Sequence, residues 1–289
     1  AAAVADAPTA IAVPSPTTVQ IRVQRSYPGR IRAGAPIPTR SMSADELLEN
    51  IRYFTVHMRT PRTTPCTGLV LSGVGVANRP DTLPAIALAR SEGVESVVLH
   101  VGVEDLDTFD AHRFQDTVNT LVVPVQPDTG ALTASARAIS SARQAGLRVA
   151  AHTSLTPKAL PSLSSVARIL SAAQPAAMTF TYPFPINGNE ARDAPVPQRT
   201  MTALRPALDI LDAAKVSVSV KGLPACHLGQ DAHRLGKTGN RWYVDADHQQ
   251  ADALLFFPDV VAFYKDEVCR FCSADGDCDG FFATYLRRD

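Results

Sequence analysis

The chain has 289 residues, 45% of them hydrophobic and 19% charged, and its 28 basic and 28 acidic side chains cancel to a formal net charge of zero. That length supports one large domain, or a domain with a small appendix. The neutral balance leaves no electrostatic footprint for nucleic acid or an anionic membrane, and no apolar run approaches the roughly 20 residues of a spanning helix.

Residues 1–16, AAAVADAPTAIAVPSP, lack a basic leader and a continuous apolar core, so they read as a flexible Ala/Pro-rich extension and not as a secretory signal. From Val19 onward short apolar runs alternate with helical stretches. The expected strands are Val19–Val23, Leu69–Ser72, Ser96–Val101, Thr120–Val125, Arg148–His152, Met178–Tyr182 and Val216–Val220. Most are β-branched, bounded by turn residues and apolar on both faces, as buried parallel strands should be. One helix opens at Ser43-Ala44-Asp45-Glu46, a capping-box sequence, with Leu47, Leu48, Ile51 and Phe54 on one face. Another opens at Asp81 and stops at Gly93.

The junctions Ala89-Arg90-Ser91-Glu92-Gly93-Val94 and Ala142-Arg143-Gln144-Ala145-Gly146-Leu147 resemble each other. Repeated βα units of this kind imply right-handed crossovers and a parallel sheet. The sheet either curls into a full or partial barrel or stays an open doubly wound layer, and the pattern is compatible with both.

Beyond Gly222 the character changes. The remaining residues hold the only tryptophan, Trp242, and four of the five cysteines: Cys226, then Cys269-x2-Cys272-x5-Cys278. Five cysteines are too few for a disulfide scaffold in a chain of this size. Clustered without a signal peptide, they point to a reducing, cytoplasmic setting and an inorganic centre. A Cys-x2-Cys turn lets two thiolates reach one centre, and Cys226 can supply a fourth; zinc and an iron–sulfur cluster fit that spacing alike. Cys66 reads as a free buried thiol.

Other motifs are weaker. His100 and His152 end two expected strands, where a barrel would open its pocket; they are pocket candidates or ordinary core-edge histidines, and Tyr182 and Lys221 are placed alike. Gly73-Val74-Gly75 offers a possible anion-binding turn, without the longer glycine pattern or the lysine that a phosphate loop carries. Asp275-Gly276-Asp277 has incomplete calcium-loop spacing and reads as a solvated turn. Ala251–Phe257 and Phe263 form an apolar stretch near the cysteines, suited to packing or to a partner interface.

Taken in order, residues 17–289 resemble a radical S-adenosylmethionine (radical SAM) protein with a C-terminal auxiliary iron–sulfur domain of the SPASM/twitch kind. That family carries a Cys-x3-Cys-x2-Cys loop after its first strand, for the cluster that cleaves S-adenosylmethionine. The corresponding positions hold Tyr27, Ile31 and Gly34, none of them a thiolate. The family's Gly-Gly-Glu-Pro segment corresponds to Gly73-Val74-Gly75-Val76, with Gly75 in place of the glutamate, although Arg79-Pro80-Asp81 keeps the family look. Lys221-Gly222-Leu223-Pro224-Ala225-Cys226, Cys269-Arg270-Phe271-Cys272 and Cys278-Asp279-Gly280 are similar to the auxiliary-cluster region, except that Phe282 stands where a full SPASM core continues with cysteine.

The resemblance implies an α/β fold, an incomplete (β/α)6 TIM-like barrel over residues 17–222, and a small Cys-rich metal-binding domain over residues 223–289. It implies one [4Fe–4S] cluster on Cys226, Cys269, Cys272 and Cys278, with zinc as the alternative, and a vestigial cofactor site at Gly73 and Gly75. No cleavage of S-adenosylmethionine is expected. The expected role is a non-catalytic, electron-relay or scaffold subunit pairing with an active radical SAM homologue in natural-product or peptide modification. Two alternatives stay open: an enzyme that has repurposed the pocket around His100 and His152, and an assembly subunit stapled by a four-cysteine metal.

Overall fold

The computed structural model describes residues 15–25, 40–58, 64–127, 129–185 and 194–286. All seven expected strands form: β1 (Thr18–Arg22), β2 (Gly68–Ser72), β3 (Ser96–His100), β4 (Thr120–Pro124), β5 (Val149–Ser154), β6 (Ala177–Thr181) and β7 (Ser217–Lys221). Each pairs in parallel with its sequence neighbour, Val19 opposite Leu69 and Thr181 opposite Lys221, for example. The order β1 to β7 runs without reversal. A doubly wound sheet reverses direction at a switch point, so this sheet is singly wound.

The helices between them are α1 (Ala44–Arg52), α2 (Thr82–Ser91), α3 (Thr129–Gln144), α4 (Leu163–Ala173) and α5 (Pro197–Ala213). The capping box at the head of α1 forms as expected: Glu46 N–H donates to Ser43 Oγ (3.2 Å), and Ser43 N–H donates to Glu46 Oε2 (2.8 Å). Helix α2 follows Asp81, whose carboxylate caps no backbone group and instead accepts from Arg79 Nε (2.9 Å). After α2 the chain turns through Gly93 at φ +92°, a left-handed conformation that a side chain would strain.

Burial along the strands alternates. Val19, Ile21, Leu69, Leu71, Val97, Leu99, Leu121, Val123, Ala151, Met178 and Phe180 are shut away, forming one face of the core. Between them Gln20, Arg22, His100, His152, Thr179 and Lys221 are only half-buried. The second face is mixed: Val70, Val98, Val122 and Ala150 keep the middle strands apolar on both faces, as expected, while Gln20, Arg22, His100, His152 and Lys221 make its ends polar. In β1 the pattern Val-Gln-Ile-Arg-Val already shows it.

The chain beyond residue 222 continues into the same sheet. After α6 (Ala225–Leu228), β8 (Trp242–Val244) pairs in parallel with β1 on the side away from β2, and β9 (Leu254–Leu255) pairs antiparallel with β8. The result is a nine-stranded sheet with β7 and β9 at its two ends, two strands more than the seven expected from the sequence. A separate two-stranded ribbon, β10 (Phe263–Tyr264) with β11 (Phe281–Phe282), leads into α7 (Ala283–Leu286).

This last segment is fixed by aromatic packing. Phe282 is fully buried and its ring lies 4.8 Å from Phe263 and 5.0 Å from Phe184. Tyr285 Oη donates to the carbonyl of Pro183 (2.8 Å), just past β6. No helix among the described residues is long and apolar enough to cross a membrane.

Candidate functional site

Parallel strands that run side by side deliver their C-terminal ends to one edge, and here that edge opens into a cavity of about 1060 Å³. Its wall includes Arg22 from β1, Ser72 and Gly73 after β2, His100 from β3, and His152 and Ser154 from β5. Both candidate histidines thus meet the same cavity. His152 Nε2 lies 3.0 Å from Thr181 Oγ1.

Both imidazoles are held neutral. Burial pushes His100 down to about 3, helped by the nearby charges of His152, Arg241, Lys221 and Arg22. Burial and then Lys221 push His152 down to about 4. Lys221 is itself lowered, by burial first and by Arg241 second, with Asp279 pulling it back up. Burial likewise lowers Arg241 to about 10. Arg241 reaches Gln20 Oε1 through its Nε and stacks on Phe256, its guanidinium carbon 3.8 Å from the ring centre. Arg22 makes one long contact, Nη1 to Tyr243 Oη at 3.4 Å.

The vestigial turn is closed against anions. A Cβ on Gly73 would come within 2.7 Å of the backbone of Gln24, so only glycine lets the end of β1 approach this closely. The Gly75 N–H donates to Glu104 Oε1 (3.2 Å). The N–H groups of Ala77 and Gly102 both donate to Asp105 Oδ2 (3.2 Å each). Two carboxylates therefore occupy amides that a phosphate would need. Tyr182 also leaves the pocket set: it is 2% exposed, donates its hydroxyl to the Pro195 carbonyl and joins the aromatic cluster around Phe282.

The late cysteines sit at the far end of the chain's path. Cys226 lies in α6, Cys269 in a 3-10 turn whose start is capped by the Asp266 carboxylate, and Cys272 and Cys278 in the loop that follows. Cys226 and Cys272 are exposed, Cys269 and Cys278 half-buried, and no disulfide forms among the described cysteines. Backbone N–H groups of Ala225 and Gly280 point at Cys278 Sγ (3.5 and 3.4 Å). Partial burial raises the Cys226 thiol, local backbone amides oppose it, and Cys278 and Cys269 raise it further. Among the described residues, no three His, Cys, Asp or Glu side chains converge as a single metal ion would need.

Asp275 and Asp277 are each taken by a lysine, Lys265 (2.8 Å) and Lys237 (2.7 Å), so their loop is an ion-paired turn. Cys66 is 2% exposed and burial pushes its thiol up to about 12, as suits a free core cysteine. Tyr27, Ile31 and Gly34 lie outside the described residues.

Sequence reasoning missed Arg22, Arg241, Glu104 and Asp105. Arg22 was legible from the alternation within β1. Arg241 immediately precedes the missed strand β8, and the two acids act only through a turn contributed by another βα unit.

No family model and no curated protein matches the sequence. By fold, the chain is similar to SuiB of Streptococcus suis bound to S-adenosylmethionine, with a TM-score of 0.52 and 9% identity over 81% of this chain and 59% of that one. It thus spans less than two thirds of the length of SuiB. It is also similar to native anSMEcpe with bound AdoMet, with a TM-score of 0.57 and 10% identity over 91% of this chain and 88% of that one. The anSMEcpe structure with AdoMet and a Cp18Cys peptide matches equally, at a TM-score of 0.57 and 10% identity. These neighbours are radical SAM enzymes, and the fold of this chain is radical SAM-like.

Proposed function

We propose that this chain is a radical SAM-like protein that has lost cofactor cleavage and serves as a cluster-bearing subunit beside an active partner enzyme. In this reading the singly wound sheet is an incomplete barrel, and its C-terminal segment is an auxiliary iron–sulfur domain of the SPASM/twitch kind. The observation that carries the reading is the surface around the cysteine turn. Val268 is 66% exposed and Phe271 80% exposed, both on the turn that bears Cys269. Apolar side chains of that size, presented beside accessible thiols, suit burial against another protein.

Cys226, Cys269, Cys272 and Cys278 would hold the cluster. A cubane-type cluster gives each thiolate its own iron, so its ligands stand farther apart than the sulfurs around one zinc, which all lie about 2.3 Å from the ion. Cys226 stands near enough to Cys278 and Cys269 for their charges to act on its thiol, as ligands of one shared centre would. The N–H groups aimed at Cys278 are of the kind that tune cluster potentials. When bound, the cluster would supply one-electron transfer.

Loss of cleavage chemistry is supported by Gly75, which brings no carboxylate of its own, and by the positively charged surroundings of His100, which favour no sulfonium ligand. The setting is a reducing cytoplasm. Anaerobic purification tests the whole reading. About four irons and four sulfides per chain, lost in the Cys269→Ser/Cys272→Ser variant, and a native mass showing a heteromer would support it. Protein that binds zinc stoichiometrically and no iron would overturn the cluster. A chain that stays alone and turns over S-adenosylmethionine would overturn the subunit role.

A further inference from the structure

Several arginines of this protein are matched with acids. Arg25 meets Asp245 (Nε to Oδ2, 2.7 Å), Arg79 meets Asp81 and Arg137 meets Asp107 (3.0 Å). Around the cavity the pattern breaks. Arg22 in the cavity wall, and Lys221 and Arg241 behind it, near enough for their charges to reach His100, are half-buried, and none of the three has an ion pair among the described residues. The His100 ring has no hydrogen-bond partner among them either, though it stands in the cavity wall.

Acids are scarce there. Glu104 is the one carboxylate in the described wall, and it is engaged by the Gly75 amide. Asp279, which Lys221 feels, is engaged by the Thr238 N–H (2.9 Å). Positive groups held partly out of water without a counter-charge cost free energy that an incoming anion would recover. Burial is the first cause that lowers His100, and His152, Arg241, Lys221 and Arg22 push it the same way. Beside Arg22 and Lys158 the wall turns apolar, with Val101, Val103, Val125 and Pro127.

We propose that the cavity at the C-terminal ends of β1 to β5 binds an organic oxyanion, its phosphoryl or carboxylate head on Arg22, His100 and His152 and its less polar body against Val101, Val125 and Pro127. The volume suits a ligand of metabolite size and exceeds what an inorganic ion needs. The guanidinium of Arg22 supplies a two-pronged donor, and each neutral imidazole carries one ring N–H that can donate. The site is independent of the late cysteines and stands whether or not they hold a cluster.

Calorimetric titration of the full chain with phenyl phosphate, benzoate and inorganic phosphate tests it, with metal-free and cluster-reconstituted protein run in parallel. Saturable binding of phenyl phosphate or benzoate is expected, tighter than inorganic phosphate. Their ratio tells a phosphoryl head from a carboxylate. Arg22→Gln and His100→Asn should each weaken it roughly ten- to hundredfold, and Arg22→Lys should restore part of the loss. His100→Asn faces open cavity, so it guards against a folding failure of Arg22→Gln. No saturable binding of either aromatic anion overturns the proposal, as does binding that neither variant changes or that appears only with the cluster in place.

Discussion

The carboxylate of Glu104, carried on the loop after β3, accepts the backbone N–H of Gly75 in the loop after β2 at 3.2 Å. Its neighbour Asp105 does the deeper work. At 1% exposure it accepts from Ala77 N–H, Gly102 N–H and Asn78 Nδ2 (2.9 Å), tying two strand-end loops together. Burial raises the Asp105 carboxyl while these donors oppose the rise. Removing its oxygens strands buried donors, each worth about 1–3 kcal/mol. Asp105→Ala should therefore cost about 3 kcal/mol in urea unfolding, Asp105→Asn less, and exposed Glu104→Ala under about 1 kcal/mol. Equal losses for Glu104→Ala and Asp105→Ala would contradict this division of labour.

The C-terminal segment should survive without any metal. Phe282 is buried against Phe184, Phe263, Tyr182 and Tyr285, and a Cβ on Gly222 would come within 2.9 Å of its ring. A packed aromatic contact of this kind costs about 3–5 kcal/mol when truncated to alanine. Phe282→Ala should loosen residues 263–286, seen as faster amide exchange there. Replacing Cys226, Cys269, Cys272 and Cys278 together by serine should leave the far-UV spectrum and the exchange pattern of β10 and β11 unchanged. Collapse of that segment in the serine variant would make the metal its staple instead.

Arg241 and Gln20 couple the late chain to the first strand. The guanidinium stacks on Phe256 at 3.8 Å and reaches Gln20, while β8 pairs with β1 through Val19, Gln20 and Ile21. A planar fork makes both contacts, and an ammonium cannot. Arg241→Lys should therefore lose roughly 1–2 kcal/mol despite keeping the charge, and Trp242, the neighbouring residue and sole tryptophan, should shift its fluorescence. A lysine variant of unchanged stability and emission would show the stacking to be idle.

How far the sequence could be read follows from how local each signal is. The seven strands, the Ser43–Glu46 capping box and the Gly93 helix end are set by residues within a few positions of one another, and all were legible. His100 does end β3, whereas β5 runs two residues past His152 to Ser154; both nonetheless reach the cavity at that edge. The choice between a singly and a doubly wound sheet was not legible, since it depends on which strands become neighbours. The three-residue β8 gave too short a period to recognise, and with it went Arg241. Glu104 and Asp105 looked like ordinary loop acids until the fold laid the Gly75–Ala77 turn beside them. The resemblance at Gly73–Gly75 located a real part of the cavity wall at Gly73, while the anion-binding use of that turn failed because acids on the loop after β3 had taken the amides of Gly75 and Ala77.

The two histidines predict an acid limb in the stability profile. An unfolded chain titrates histidine near 6.5, whereas burial and, for His100, the charges of His152, Arg241, Lys221 and Arg22 hold the folded values at about 3 and, for His152, about 4. Between those values and 6.5 the unfolded chain carries protons that the folded chain does not. Stability from these groups is thus complete above pH 6.5 and is lost as the pH falls through that window. At pH 5 the loss is up to about 2 kcal/mol per histidine, reduced because both are only half-buried. The urea midpoint should accordingly drop between pH 7 and pH 5, and the His100→Gln/His152→Gln variant should show a flatter profile over the same range. Saturating phenyl phosphate should oppose the drop, since an anion against the rings favours their protonated form. A double variant whose profile keeps the wild-type slope would move the acid sensitivity to other groups.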